Sequence, residues 1–143
     1  MSRVAGGLVL LLAVGCQPSG PHVVFEIPVG FTGEVWVVDD PAGGTPFARE
    51  GDKYVVKVPH NGVRKAASVE VLRQRHSESA RFWNGTVLLR DSRNIIPDDV
   101  TTLRGGVYVS RADGGRSVAF VAYYVGNKER AQKFLDNPRP PPE

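Results

Sequence analysis

The sequence predicts an all-β domain, a two-layer antiparallel β-sandwich with one short C-terminal helix. Two observations point to the sandwich and a third to the helix. About seven or eight short runs rich in β-branched and aromatic residues are separated by Gly, Pro, Asn and Asp, the punctuation of a small sandwich. Residues 118–125 are apolar on both faces, so that stretch needs a covering layer on each side. Beyond Gly126, the residues Ala131, Phe134 and Leu135 fall at helical spacing behind Asn127, a favourable helix cap.

Residues 22–28 alternate, with Val23, Phe25 and Ile27 on one face, and Pro28 closes the strand. Gly30 and Gly33 then allow a turn into a second β-rich run over 34–38, which suggests a first hairpin. Residues 39–52 hold Pro41, Gly43, Gly44, Pro46 and Gly51 and read as a long loop with Phe47 as its anchor. A strand over 53–58 directs Tyr54, Val56 and Val58 one way and Lys53 and Lys57 the other. Ala67, Val69 and Val71 suggest another strand over 67–72.

Two hairpins follow. The first joins 79–83 to 86–90 through Asn84-Gly85, the preferred pair of a type I′ turn, and the second joins 107–111 to 117–125 around Asp113-Gly114-Gly115. Between them, residues 91–106 form a loop whose Ile95-Ile96 would pack over an end of the core. Asn137-Pro138 stops the terminal helix, and residues 138–143 read as an extended proline-rich tail with nothing to bury.

With 143 residues, 41% apolar and 23% charged, the chain suits one folded domain and is unlike a disordered or collagenous sequence. A net charge of +3 is too small an excess to indicate a nucleic-acid partner. Cys16, the only cysteine, has no partner for an internal disulfide, so the fold rests on packing. Three histidines and one cysteine give no zinc-like ligand set, and neither a metal nor another cofactor is expected. The carboxylate pairs Asp39-Asp40 and Asp98-Asp99 lack EF-hand spacing and read as turn formers.

The run His76-Ser77-Glu78-Ser79 brings together the residue types of a hydrolase. A small hydrolase using His76 with a serine or carboxylate is therefore an alternative reading, although no nucleophile elbow is present. A second alternative is a basic and aromatic strip of Arg73, Arg75, Arg81 and Trp83, with Arg64 and Lys65 nearby, for an anion or glycan. Its bland counterpart is a solvated strand edge.

The N-terminus places the protein. Arg3 precedes the apolar run 4–14, which ends at the small residue Gly15, the layout of a secretory signal. The stretch Leu12-Ala13-Val14-Gly15-Cys16 resembles the bacterial lipobox, and the resemblance implies removal of residues 1–15, lipidation of Cys16 and a tether over 16–21. The domain then spans 22–137, close to the bilayer. Ile27-Pro28, Gly30-Phe31, Gly33, Gly51, Tyr54, Val58-Pro59, Gly62-Val63 and Val125-Gly126 resemble a family of small exported bacterial domains with no assigned activity. That pattern is similar to transthyretin-like and carboxypeptidase-regulatory-like sandwiches, which share the two-layer architecture of immunoglobulin-like domains. The resemblance implies a fold and supplies no catalytic residues. The leading expectation is a non-enzymatic lipoprotein of the cell envelope, held in a membrane through Cys16, with an envelope protein or a glycan as its partner.

Overall fold

The protein is described by a computed structural model over residues 20–143. The expected signal over 1–15, Cys16 and most of the expected tether lie outside the described residues. The first sheet contains β1 (His22–Ile27), β3 (Ala48–Glu50), β4 (Lys53–Lys57), β6 (Ser77–Phe82) and β7 (Val87–Leu89), in the order β3-β4-β1-β6-β7. The second contains β2 (Gly33–Asp39), β5 (Val63–Ala66), β8 (Thr102–Asp113) and β9 (Arg116–Gly126), in the order β5-β2-β9-β8. A single turn of helix, α1 (Glu70–Arg73), precedes β6, and α2 (Lys128–Leu135) follows β9.

The sandwich and its terminal helix match the sequence reading, but the pairing is mixed rather than purely antiparallel. β1 runs parallel to both β4 and β6, and β2 runs parallel to β5. The suggested β1–β2 hairpin does not form, because β4 and β6 already fill both edges of β1. Instead Phe31 N–H donates to the Pro28 carbonyl at 3.0 Å across a turn with Gly30 at φ 75°, and the chain passes to the other sheet.

Alternation explains the core. Val23, Phe25 and Ile27 of β1 meet Val35 and Val37 of β2 and Val121, Tyr123 and Val125 of β9 between the sheets, with Val56 and Val58 beside them. The other face of β9 puts Phe120 and Ala122 with Trp36 under Phe134 of α2. Residues 118–125 therefore read as apolar on both faces because one face meets a sheet and the other a helix.

Several local expectations change. Residues 67–72 are not a strand: Val69 and Leu72, three apart, are both buried as the chain turns through α1, and Ser68 Oγ accepts from Glu70 N–H at 3.2 Å. The strand lies earlier, at β5, whose sequence Val-Arg-Lys-Ala hardly announces it. At Asn84-Gly85 only the glycine has positive φ, 87°, and Phe82 N–H reaches the Thr86 carbonyl at 2.9 Å. That is a three-residue hairpin closed by a glycine bulge, not a type I′ turn. Ile96 packs on the core, whereas Ile95 is 98% exposed.

The tail also departs from expectation, since Pro138 is buried. Trp36 Nε1–H donates to the Arg139 carbonyl at 3.0 Å, Arg139 pairs with Glu34 at 2.5 Å, and Arg111 donates to the Pro138 carbonyl. The prolines thus lie as a strap along the second sheet. Among the described residues no helix is long and apolar enough to cross a membrane.

Candidate functional site

The β6 alternation divides the run His76-Ser77-Glu78-Ser79 between two environments. Glu78 points inward, where its Oε1 accepts from Tyr123 Oη–H at 2.8 Å and meets His76 Nε2 at 2.6 Å. His76 Nδ1 lies 2.7 Å from the Gln74 carbonyl. The Glu78 hydrogen bond raises the His76 pKa against the opposing effect of burial. Burial first, and then Glu78, pushes the Tyr123 phenol well above its ordinary value, so it stays a donor.

Ser77 and Ser79 point outward, and each meets a ring nitrogen of His22 on the neighbouring strand, at 2.7 and 2.8 Å. The sequence run that gathered histidine, carboxylate and serines is therefore split, and the serines hold a different histidine. Burial, followed by the charge of Lys53, lowers the His22 pKa.

Further along the same outer face, Arg81 pairs with Glu50 at 2.6 Å and lies 3.6 Å from Glu26. Glu50 sits on β3, so this bridge crosses β1 and β4, a distance of about 14 Å. The two side chains must lie flat to span it, and beneath them the outward-facing Val24 and Val55 are each only 6% exposed. Arg81 therefore acts as a lid on apolar surface. Its hydrogen bond holds the Glu50 carboxyl below the usual range.

Trp83 lies just beyond β6 on the rim of a groove of about 750 Å³, formed by the β4–β5 connection, the β6–β7 turn and the C-terminal strap. Lys57, Pro59, Arg64, Lys65, Trp83 and Pro142 line it, with Glu143 at its side. Lys57 Nζ stands 5.0 Å above the Trp83 ring, and the His60 ring meets it edge-on at 4.7 Å. Arg64 is fixed by Nη1–H donation to Thr45 Oγ1 at 2.8 Å, which leaves its buried Nε without a partner. Among the described residues neither Lys57 nor Lys65 pairs with a carboxylate.

The structure thus disperses the strip predicted from sequence. Arg73 pairs with Glu70 at 3.5 Å and lies 4.1 Å over the Tyr108 ring. Arg75 is exposed ahead of β6, and Arg81 is engaged by two acids. Trp83 does share a groove with Arg64 and Lys65, the two basic residues expected near the strip, and Lys57 joins them from β4. Alternation does reveal Lys57 as outward-facing, but only the parallel placement of β4 and β6 on either side of β1 brings it to Trp83. Among the described residues no group of three or more His, Cys, Asp or Glu could hold a metal ion. Asp40 caps its own turn by accepting from Gly43 N–H at 2.9 Å, and Asp98 pairs with Lys128 at 3.2 Å.

No family model matches the chain, and no curated protein matches it. Among solved structures the chain is similar to the crystal structure of a protein described as a lipoprotein from Bacillus anthracis. The two are 17% identical, the match covers 85% of this chain and 80% of that one, and the TM-score is 0.49.

Proposed function

We propose that this protein is a lipid-anchored module of the bacterial envelope that binds an acidic glycan in the groove beside Trp83 and catalyses no reaction. The anchor reading rests on the lipobox-like sequence ending at Cys16. The observation that carries the binding reading is the groove: an indole 37% exposed, with Lys57, Arg64 and Lys65 around the same hollow. An aromatic face suits the apolar side of a sugar ring, and unpaired ammonium groups suit carboxylates spaced along a chain. The alternative hydrolase built on His76 loses its serines to the opposite face of β6.

The test compares a polyuronate with neutral dextran, followed through tryptophan fluorescence. Trp83 is the exposed indole and Trp36 the buried one, so quenching by the polyuronate should vanish in Trp83→Phe. Lys57→Ala with Lys65→Ala should weaken binding about tenfold or more at low salt, and the difference should shrink as salt rises. Equal binding of the two polymers, or none to the polyuronate at low salt, would remove the glycan reading. A Cys16→Ala protein that still partitioned wholly with membranes would count against the anchor.

A further inference from the structure

We infer that the end of the first sheet where β1 begins is a docking face for anionic lipid headgroups, built by Lys53, Arg75 and Arg90. This inference rests on the anchor reading above and adds to it a partner for one surface of the domain.

The topology gathers these cations. β1, β4 and β6 are parallel, so all three start at this end. Lys53 opens β4, Arg75 stands two residues ahead of β6, and Arg90 follows the end of the antiparallel β7. All three are exposed, and none forms an ion pair among the described residues. The other charges nearby largely cancel. Arg93 is held by Asp91 at 2.5 Å and Arg73 by Glu70, Glu50 is committed to Arg81, and Arg49 and Asp52 carry opposite charges at the β3–β4 turn, where Arg49 donates to the Asp52 backbone carbonyl at 3.5 Å. A net positive rim remains. The groove along α2 carries Asp98, Asp99, Glu129 and Asp136 together with Lys128 and Lys133, which pair with Asp98 and Glu129.

The chain leaves the domain at this same rim. Ser77 N–H donates to the Pro21 carbonyl at 3.1 Å, fixing the segment just before β1 against the start of β6. Gly20, at φ 70°, lies so close to the Arg75 backbone that an added Cβ would stand 2.1 Å from the Arg75 carbonyl oxygen. Only Gln17, Pro18 and Ser19 separate Cys16 from Gly20, a span of about 14 Å at full extension. A lipid on Cys16 therefore holds this rim near enough to the headgroups for a tilt of the domain to bring Lys53, Arg75 and Arg90 onto them or to swing them away. Each basic residue near an anionic leaflet favours the docked orientation about fivefold, so three acting together favour it about a hundredfold. On a neutral bilayer that bias is absent.

The experiment uses the acylated full chain with Gln74→Cys, whose thiol carries a fluorophore between Arg73 and Arg75. The protein is placed in vesicles of phosphatidylglycerol with phosphatidylcholine, or of phosphatidylcholine alone, each with a headgroup-labelled energy acceptor. A Glu129→Cys protein, labelled on α2, serves as the reference. Transfer from position 74 should be clearly higher in the anionic vesicles, fall with added salt, and fall again in Arg75→Glu/Arg90→Glu. Transfer from position 129 should not rise. Equal transfer from position 74 in the two vesicle types, with the protein shown by mass to carry lipid and by flotation to be membrane-bound, would overturn the docking face and leave the anchor standing. A chain that carries no lipid and fails to float with either vesicle would remove the anchor reading, and the docking face with it.

Discussion

At the scale of single residues, the pKa values of the two partly buried histidines shift in opposite directions, because a carboxylate holds one while burial and a neighbouring lysine act on the other. His76 meets Glu78 at 2.6 Å, and that contact raises its pKa above the ordinary 6.5. A raised folded-state pKa gives stability that is fully present below about 6.5 and is lost as pH climbs through the higher folded value. His22, whose partners are Ser77 and Ser79, is shifted downward by burial and Lys53. Below about 6.5 the unfolded chain takes up this proton first, so His22 costs stability as pH falls toward its lower folded value. Replacing His76 with Gln should therefore destabilise the protein more at about pH 6 than at pH 8. Replacing His22 with Gln should relieve part of the acid-side loss. Urea unfolding across that range measures both effects, and a His76→Gln deficit that grew with pH would contradict the assignment.

At the scale of elements, α2 is held by its cap and by one ring. Asn127 Oδ1 accepts from Arg130 N–H at 3.0 Å and fixes the first turn, while Phe134 meets Trp36 edge-on at 5.7 Å and packs with Tyr124. Phe134→Ala should cost about 3–4 kcal/mol in urea unfolding and shift Trp36 emission toward that of an exposed indole. An unchanged emission would mean that α2 does not seal this face. The helix was legible in the sequence because its cap and its apolar spacing agree, and β9 because its two-sided apolar run is long. β5 was not, since only Val63 and Ala66 mark it and its parallel register with β2 is set by packing rather than by a tight turn. The groove was half legible. Trp83, Arg64 and Lys65 could be singled out together, but Lys57 reaches them through a strand order that no local pattern encodes. The strap was hidden for a related reason, because a proline-rich tail reads as unpaired until Trp36 and Glu34 supply its partners.

For the whole molecule, the mixed topology separates contacts that form cheaply from those that must wait. β8 and β9 are joined by a tight turn in which Gly114 and Gly115 both take positive φ, 54° and 81°, and their ladder runs from Asp113 opposite Arg116 to Thr102 opposite Gly126. Such a hairpin closes with little loss of chain entropy. β1 has no local partner: its contact with β6 joins residues 55 positions apart, at His22 and Ser77, and its contact with β4 is also parallel. Folding should therefore begin at β8–β9, and the pairings of β1 with β4 and β6 and of β2 with β9, which joins positions as far apart as Gly33 and Val125, should complete after the main barrier, on a millisecond-to-second timescale. In stopped-flow refolding, Val109→Ala and Val118→Ala should slow folding with little effect on unfolding, giving φ-values above about 0.5. Val56→Ala and Ile27→Val, on the parallel strands, should chiefly speed unfolding, with φ-values below about 0.3. The reverse ranking, among substitutions costing more than about 0.6 kcal/mol, would place the parallel sheet in the nucleus. Since no disulfide can form within a chain that has one cysteine, no thiol oxidation step enters these rates, and the phase to be read is the one faster than proline isomerisation.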